Sequence, residues 1–283
     1  MKKRLIGGLI HRLPQNSMSR TMGKIMASRF SRLAIRHYIR MYNIDLSDVE
    51  RPVGEFKSLK EFFIRRLKPG ARPIEADPRV IVSPVDGTIS QLGDIHEGTL
   101  IQAKGKDYRV AELLGHDQEF SDKFHGGSFM TIYLSPRDYH RIHAPIDGKL
   151  MKYSYLPGRL YPVNQIGVEQ VENLFARNER LITFIDNQEM GCVAVVKVGA
   201  LFVGSVKVVY NRATTNVPGG KQITETIEGS PAIHKGDELG WFEFGSTVIL
   251  LFEKNQVEWA QGIAEGSVLR MGQKLAVQVS SSK

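Results

Sequence analysis

A chain of 283 residues with 42% apolar content is long enough for one large domain or two ordinary ones with a real core. Its single cysteine, Cys192, excludes an internal disulfide and a cysteine-based zinc site, and fits a reducing compartment. The formal charge of +8 is uneven: residues 1–44 hold ten basic side chains and no acid, which leaves 28 basic and 30 acidic residues in 45–283.

The first residues, MKKRLIGGLIHRL, imitate a signal peptide only briefly. The apolar stretch Leu5 to Ile10 is short, His11 and Arg12 close it, and no small-residue cleavage site follows. No apolar run approaches the roughly 18 residues of a membrane span. Neither secretion nor a transmembrane helix is expected.

The basic arm (Lys2, Lys3, Arg4, Arg12, Arg20, Lys24, Arg29, Arg32, Arg36, Arg40) reads as two amphipathic helical segments. In the first, Met18, Met22, Ile25 and Met26 share a face opposite Arg20 and Lys24. Ser28 is the expected N-cap of the second. There Phe30, Leu33, Ala34, Tyr38 and Met41 form one side, and Arg29, Arg32, Arg36 and Arg40 the other. Such a helix suits the surface of an anionic membrane. Packing on the body with a solvated basic face is the plainer alternative. Nucleic acid is the weakest, because few base-reading side chains and no reader motif are present.

Residues 58–73, SLKEFFIRRLKPGARP, predict a short helix and a Pro/Gly stop. From residue 80 the pattern turns to short apolar runs punctuated by Asp86-Gly87, Asp147-Gly148, Pro157-Gly158, Pro218-Gly219 and Gly236-Asp237. These are strand and turn signals, so an α+β chain with a mainly β body is expected. SPVDGTI (83–89) and APIDGKL (144–150) are near copies. A third piece, IHKGDELGWFEFGS (233–246), resembles the turn-then-strand form of lipoyl- and biotinyl-type barrel-sandwich domains. A duplicated, interleaved barrel-sandwich hybrid follows as the expected architecture, with an arm over 1–44 and a catalytic body over 45–283. The tail RMGQKLAVQVSSSK ends in serines of the kind that terminate domains.

Three features carry chemistry. His140 and His143 stand three apart beside Asp138 and Asp147, a spacing that would suit a metal on a helix, but Pro136 and Pro145 bracket them and no metal site is expected. Asp86 sits in a tight PVDG turn, where an aspartate usually serves the turn alone. Ser246 lies in a Gly245-Ser246-Thr247 step inside an apolar, β-branched stretch, where glycine weakens a strand and each hydroxyl calls for a partner. An acid, an imidazole and a hydroxyl are the set that activates a serine. A serine esterase using the same three residues, or a non-catalytic carrier on the same β plan, would remain one chain.

The serine is not on a G-x-S-x-G elbow. Gly245 before it points to the serine's own preceding carbonyl as the target, since no Cβ obstructs attack and the backbone can take up strain. Attack by Oγ exchanges the peptide for an ester. β-Elimination then releases the upstream chain and leaves dehydroalanine, whose hydrolysis expels ammonia and leaves a pyruvoyl group.

Seven segments in order, SLKEFFIRRLKPGARPI, SPVDGTISQLG, MTIYLSPRDYHRIHAPIDG, PGRLYPVN, RNERL, VGALFVGSV and KGDELGWFEFGSTV, resemble the bacterial phosphatidylserine decarboxylases. That family is pyruvoyl-dependent, self-cleaving and membrane-associated. The resemblance implies a relay of Asp86, His143 and Ser246 for self-cleavage, and His140 for the decarboxylation step. It implies cleavage between Gly245 and Ser246 into fragments 1–245 and 246–283, which stay together as a heterodimer, with a higher homo-oligomer left open. The covalent pyruvoyl group derived from Ser246 would form a Schiff base with phosphatidylserine and yield phosphatidylethanolamine. Phe244 stands where the family usually has leucine. Peripheral attachment to the cytoplasmic face of the cell membrane, and no nucleic-acid partner, complete the expectation.

Overall fold

The computed structural model describes residues 14–103, 106–202 and 205–279. Lys2, Lys3, Arg4 and Arg12, and the whole of the signal-like start, lie outside the described residues. The rest of the arm forms α1 (Gln15–Ala27), a 3-10 turn (Arg29–Ala34) and α2 (Ile35–Tyr42). Ser28 does not cap the second segment. Its hydroxyl donates backwards to the Ile25 carbonyl at 2.7 Å and so ends α1. The apolar side anticipated for the second segment also divides. Tyr38 faces inward, while Phe30 and Leu33 are each 85% exposed and Met41 60%.

What α1 buries is mostly polar. Gln15 accepts the Leu160 N–H, Asn16 donates to the Gly158 carbonyl, and Ser19 accepts the Phe202 N–H. Buried Ile35 and Ile44 share a core with Val49, Phe56, Leu59 and Phe62, so the arm and the first residues of the body pack as one unit. The predicted short helix is α3 (Leu59–Phe63), with the Ser58 hydroxyl accepting the Glu61 N–H at 3.1 Å as its N-cap.

The body is mainly antiparallel sheet. Its first strands are β1 (Val80–Val82), β2 (Gly87–Asp94), the side hairpin β3 (Thr99–Ala103) and β4 (Lys106–Arg109), and β5 (Ser128–Leu134). Then come β6 (Arg141–His143), β7 (Gly148–Leu156), β8 (Arg180–Asn187), β9 (Gly191–Val198), β10 (Val206–Val208), β11 (Ile223–Thr226), β12 (Ala232–Ile233) and β13 (Glu238–Phe242). The last are β14 (Ser246–Phe252), β15 (Val257–Trp259), β16 (Val268–Leu269) and β17 (Lys274–Gln278).

The two PxDG segments mark two copies of one unit, and the register shows it. Strands β6, β7, β8, β9, β10, β12 and β13 repeat the pairing of β1, β2, β5, β14, β15, β16 and β17. Each copy places its bulge at the same point, between Ile89 and Gln91 in one and between Leu150 and Lys152 in the other. Asp86 accepts the Met271 N–H at 2.8 Å, and Asp147 accepts the Lys235 N–H at 2.9 Å. The copies also cross: Val82 N–H donates to Pro145 O at 3.0 Å and His143 N–H to Pro84 O at 2.9 Å. Glycine is required after each aspartate, because a Cβ on Gly87 would lie 2.7 Å from Tyr133 O and one on Gly148 2.5 Å from Asp186 O. The described strands do not close into a barrel.

The second copy is continuous, whereas the first is split around it. Asn187 pairs with Gly191 across a tight hairpin joining β8 to β9. The equivalent pair in the first copy is Leu134 with Ser246, and the whole second copy is inserted between them. Ser246 therefore stands at the seam where the first copy resumes. Strands β9 and β14 run side by side at the centre, with one apolar cluster on each face of the sheet.

Candidate active site

The Gly-Ser-Thr step does not interrupt a strand, as the apolar run had implied. Glu243 to Gly245 form a break between β13 and β14, which belong to different sheets, and Ser246 is the first residue of β14. The connection is tight. Phe242 N–H donates to His140 O at 3.0 Å on one side, and Ser246 pairs with Leu134 on the other. Phe244 resolves the geometry by adopting φ +129°, a region that side chains other than glycine's rarely enter.

Ser246 is fully buried, and its Oγ has no hydrogen-bond partner. Thr247 is 1% exposed with its hydroxyl equally unpartnered. The partners that sequence reasoning required are therefore missing. A buried hydroxyl left without one costs about 1–3 kcal/mol, so its persistence calls for a reason. Beside it, Phe244 and Gly245 border an apolar cavity of about 390 Å³, whose other walls include Met22, Met26, Tyr42 and Phe202. The arm thus supplies part of the enclosure over the step.

His140 lies at the start of the break, where its carbonyl holds Phe242 and its ring shares Phe63 with Phe244. It is fully buried, stacks on Phe63 with centroids 3.9 Å apart, and donates from Nε2 to Ser135 O at 3.0 Å. Its Nδ1 has no partner and so presents a free lone pair. Burial, reinforced by the Arg65 guanidinium, holds this imidazole well below its ordinary pKa. Arg65 is itself buried, donating from Nη2 to Arg137 O and Asp138 O, with Nε and Nη1 unpaired.

His143 sits on β6 with both ring nitrogens engaged. The Gly236 carbonyl can only accept, so Nδ1 carries the proton it donates there at 2.7 Å. Nε2 then accepts from the Tyr139 hydroxyl at 3.1 Å. Burial lowers the pKa of His143, and the bond to Gly236 partly offsets this. Asp86 lies in the turn whose Pro84 carbonyl holds the His143 backbone, yet its carboxylate faces elsewhere. Arg72 donates to it from Nε at 2.9 Å and from Nη2 at 2.6 Å, and Met271 N–H adds a third bond. No hydrogen bond joins Asp86 to His143, or His143 to Ser246. The structure therefore brings Asp86 and His143 to one turn and His140 to the seam, without linking them in a row. Asp147, the copy of Asp86, is half-exposed beside His234.

Sequence reasoning missed the residues that organise this site. Arg72 and Tyr139 gave no pattern beyond a basic residue before proline and an aromatic beside a histidine. Lys60, Phe63 and Glu243 are brought together only by the fold. No group of three or more metal-ligating side chains occurs among the described residues.

Ser246 Oγ thus stands buried and unpartnered one residue after Gly245, and the residue before that glycine, Phe244, is held at φ +129°. The family model for phosphatidylserine decarboxylase matches residues 59–277. A phosphatidylserine decarboxylase proenzyme of Brevibacillus brevis is 65% identical over 278 residues, covering 98% of this chain and 99% of the relative. Proteins of the same description from Myxococcus xanthus and Idiomarina loihiensis are 43% and 45% identical, each covering about 95% of both chains. The chain belongs to the phosphatidylserine decarboxylase family.

Proposed function

We propose that this chain cleaves itself between Gly245 and Ser246 and then converts phosphatidylserine to phosphatidylethanolamine. The observation that carries the reading is the buried, unpartnered Ser246 Oγ directly behind a carbonyl whose preceding residue, Phe244, is strained. Oγ adds to the Gly245 carbonyl carbon, its proton passes to an imidazole, and the C–N bond breaks as the Ser246 nitrogen takes a proton. An ester results. Removal of the Ser246 Cα proton breaks the Cβ–O bond, Gly245 leaves as a carboxylate, and dehydroalanine remains. Its imine form takes up water and releases ammonia, leaving the pyruvoyl group.

His143 is the proposed proton acceptor for cleavage, through an Nε2 lone pair held only by the neutral Tyr139 hydroxyl. Asp86 acts through the backbone: with Arg72 and Met271 it fixes the turn whose Pro84 carbonyl positions His143. His140 is assigned to the decarboxylation step, with its free Nδ1 as the site that takes up and returns a proton. The residues fit a pyruvoyl group, since Ser246 would carry it at the new N-terminus beside the apolar cavity. When formed, that group supplies the electron sink that loss of carbon dioxide requires.

The smaller fragment, 246–283, would remain woven in, because β14 pairs with both β5 and β9 and β17 pairs with β1 and β15. The arm is the proposed contact with anionic membrane on the cytoplasmic side. No helix among the described residues is long and apolar enough to cross a bilayer. Instead the 3-10 turn holds Phe30 and Leu33 outward among Arg29, Arg32 and Arg36. A phospholipid could then reach Gly245 between the arm and the body. The test is intact mass and a denaturing gel on the purified protein. A small fragment starting at position 246 with a pyruvoyl N-terminus is expected; a single uncut chain would refute the reading.

A further inference from the structure

Helix α3 touches the segment before the scissile bond at two successive residues. Lys60 Nζ lies 2.6 Å from Glu243 Oε1, and the Phe63 ring lies 4.2 Å from the Phe244 ring. Glu243 is only 7% exposed and held at both oxygens and at its backbone: Ser205 donates to Oε2 at 2.8 Å, Glu243 N–H donates to Ser205 O at 2.8 Å, and Lys207 Nζ stands 3.4 Å from the Oε1 that Lys60 also meets. Glu243 is therefore pinned in place on three sides. Immediately after it the backbone enters φ +129° at Phe244.

The helix that does this is itself anchored. Leu59, Phe62 and Phe63 are buried, and Ser58 caps its start. Beyond its end, Arg141 Nε donates to Ile64 O at 3.0 Å, and Arg65 donates to the carbonyls of Arg137 and Asp138. Phe63 is also the ring on which His140 stacks. Two fixed points one residue apart, Glu243 on an ion pair and Phe244 on an aromatic face, leave the chain little freedom to relax before Gly245.

We propose that α3 is a clamp for self-cleavage, in which Lys60–Glu243 and Phe63–Phe244 hold Phe244 in its strained conformation and present the Gly245 carbonyl to Ser246 Oγ. Lys60 and Glu243 are positioning residues and touch none of the reacting atoms. Strain held in the peptide is relieved as the C–N bond gives way to the ester, so the clamp favours the first step of maturation. The inference rests on cleavage at Gly245–Ser246.

The test uses freshly synthesised full-length chain, timed by gel, with the Lys60→Met and Glu243→Gln variants, the double variant, and Lys60→Arg. Each removal is expected to slow cleavage about tenfold or more, the double variant to be no slower than the worse single, and Lys60→Arg to restore most of the rate. A second readout follows the ester directly. Hydroxylamine added to a denaturing quench cuts an ester but not a peptide here, the chain containing no Asn-Gly pair. The hydroxylamine-sensitive fraction should fall in Lys60→Met and Glu243→Gln, while the same substitutions on the uncleavable Ser246→Ala chain should leave it folded at the assay temperature by denaturation midpoint, which separates the clamp from lost stability. Cleavage at the normal rate in both single variants, or an unchanged ester fraction, would overturn the clamp. Cleavage elsewhere than 245–246 would overturn the underlying reading instead.

Discussion

The imidazole of His140 lies face to face with the ring of Phe63, centroids 3.9 Å apart and planes 23° from parallel. Stacking of this kind removes water from one side of the imidazole, while Arg65 adds a repulsive charge, so the neutral ring is favoured. His143 is held neutral by its own burial. Both folded pKa values lie below the unfolded value, so protons bind the unfolded chain first as pH falls. Their contribution to stability is complete above about pH 6.5 and is lost as pH drops below it. Each imidazole contributes a slope of at most about 1.4 kcal/mol per pH unit in that window. Partly buried Asp138 and buried Glu179, whose carboxyl pKa values are raised by desolvation, act in the opposite direction. The comparison is therefore between variants: denaturation midpoints of the Ser246→Ala chain from pH 7 to 5, with and without His140→Gln. The His140→Gln chain should show the shallower acid loss, and identical slopes would count against a neutral buried His140.

His143 and Asp86 should separate by severity. His143→Ala is expected to slow cleavage by two orders of magnitude or more, within the range of general-base effects. Asp86→Asn leaves an acceptor for the Met271 N–H but strips Arg72 of its closest partner, in a pair only 11% exposed on each side. Its main cost is structural, below the roughly 3 kcal/mol of a buried charge left alone because Arg72 keeps Asp48 at 2.8 Å, with a milder slowing of cleavage. Tyr139→Phe is the sharper probe. It frees Nε2 of His143, so cleavage should persist or accelerate; its loss would show that the hydroxyl itself takes part. Gel timing of all three variants decides between these outcomes.

The doubled PxDG turns, the mainly β texture and the Gly245–Ser246 step were all legible in the sequence. Repetition and turn dipeptides report local backbone requirements directly, as Gly87 and Gly148 show by their contacts. Two local expectations failed because competing local bonds won. Ser28 turned its hydroxyl back to Ile25, and the break before Ser246 fell at Glu243–Gly245, where two sheets diverge. The partners of the site residues were not legible at all. Arg72 on Asp86, Tyr139 on His143 and Lys60 on Glu243 come from side chains brought together by the interleaving of two copies, and no spacing in the chain announces them. The face of the arm was misjudged for a similar reason. A helical wheel assigns Phe30 and Leu33 to the apolar side, but a 3-10 turn changes the angle per residue and carries both outward.

Lys197 is a fully buried amine near the C-terminal end of β9, pairing at Nζ with Thr183 Oγ1 and the Val195 carbonyl and with no carboxylate. Burial alone lowers its pKa to about 7. Between that value and the ordinary lysine range near 10.4, the unfolded chain binds a proton that the folded chain does not, so stability should rise with pH from about 7 to 10. Lys197→Met removes the proton uptake and keeps the volume. The substituted chain should be more stable near pH 7 and show a flatter profile up to pH 9, by at most about 1.4 kcal/mol per unit. Chemical denaturation at pH 7, 8 and 9 measures this; parallel profiles for the two proteins would mean that the amine is charged in the fold.

The exposed turn of the arm makes the most direct claim about where the protein works. Phe30 and Leu33 are each 85% exposed and lie among Arg29, Arg32 and Arg36, so an apolar tip is ringed by cations. Against an anionic bilayer, each arginine near the surface is worth about 1 kcal/mol, and salt screens this part. Full insertion of a Phe or Leu side chain adds about 1.5–3 kcal/mol that salt does not screen. Phe30→Ser with Leu33→Ser should therefore cost at least tenfold in binding to anionic vesicles at high salt. Arg29→Gln with Arg36→Gln should weaken binding mainly at low salt. Neither pair touches Ser246, His143 or Asp86, so self-cleavage should proceed in both. Co-sedimentation with vesicles of graded anionic content, at low and high salt, separates the two contributions. If the serine pair sediments like the unaltered protein under every condition, the turn does not enter the bilayer and the arm serves the fold alone.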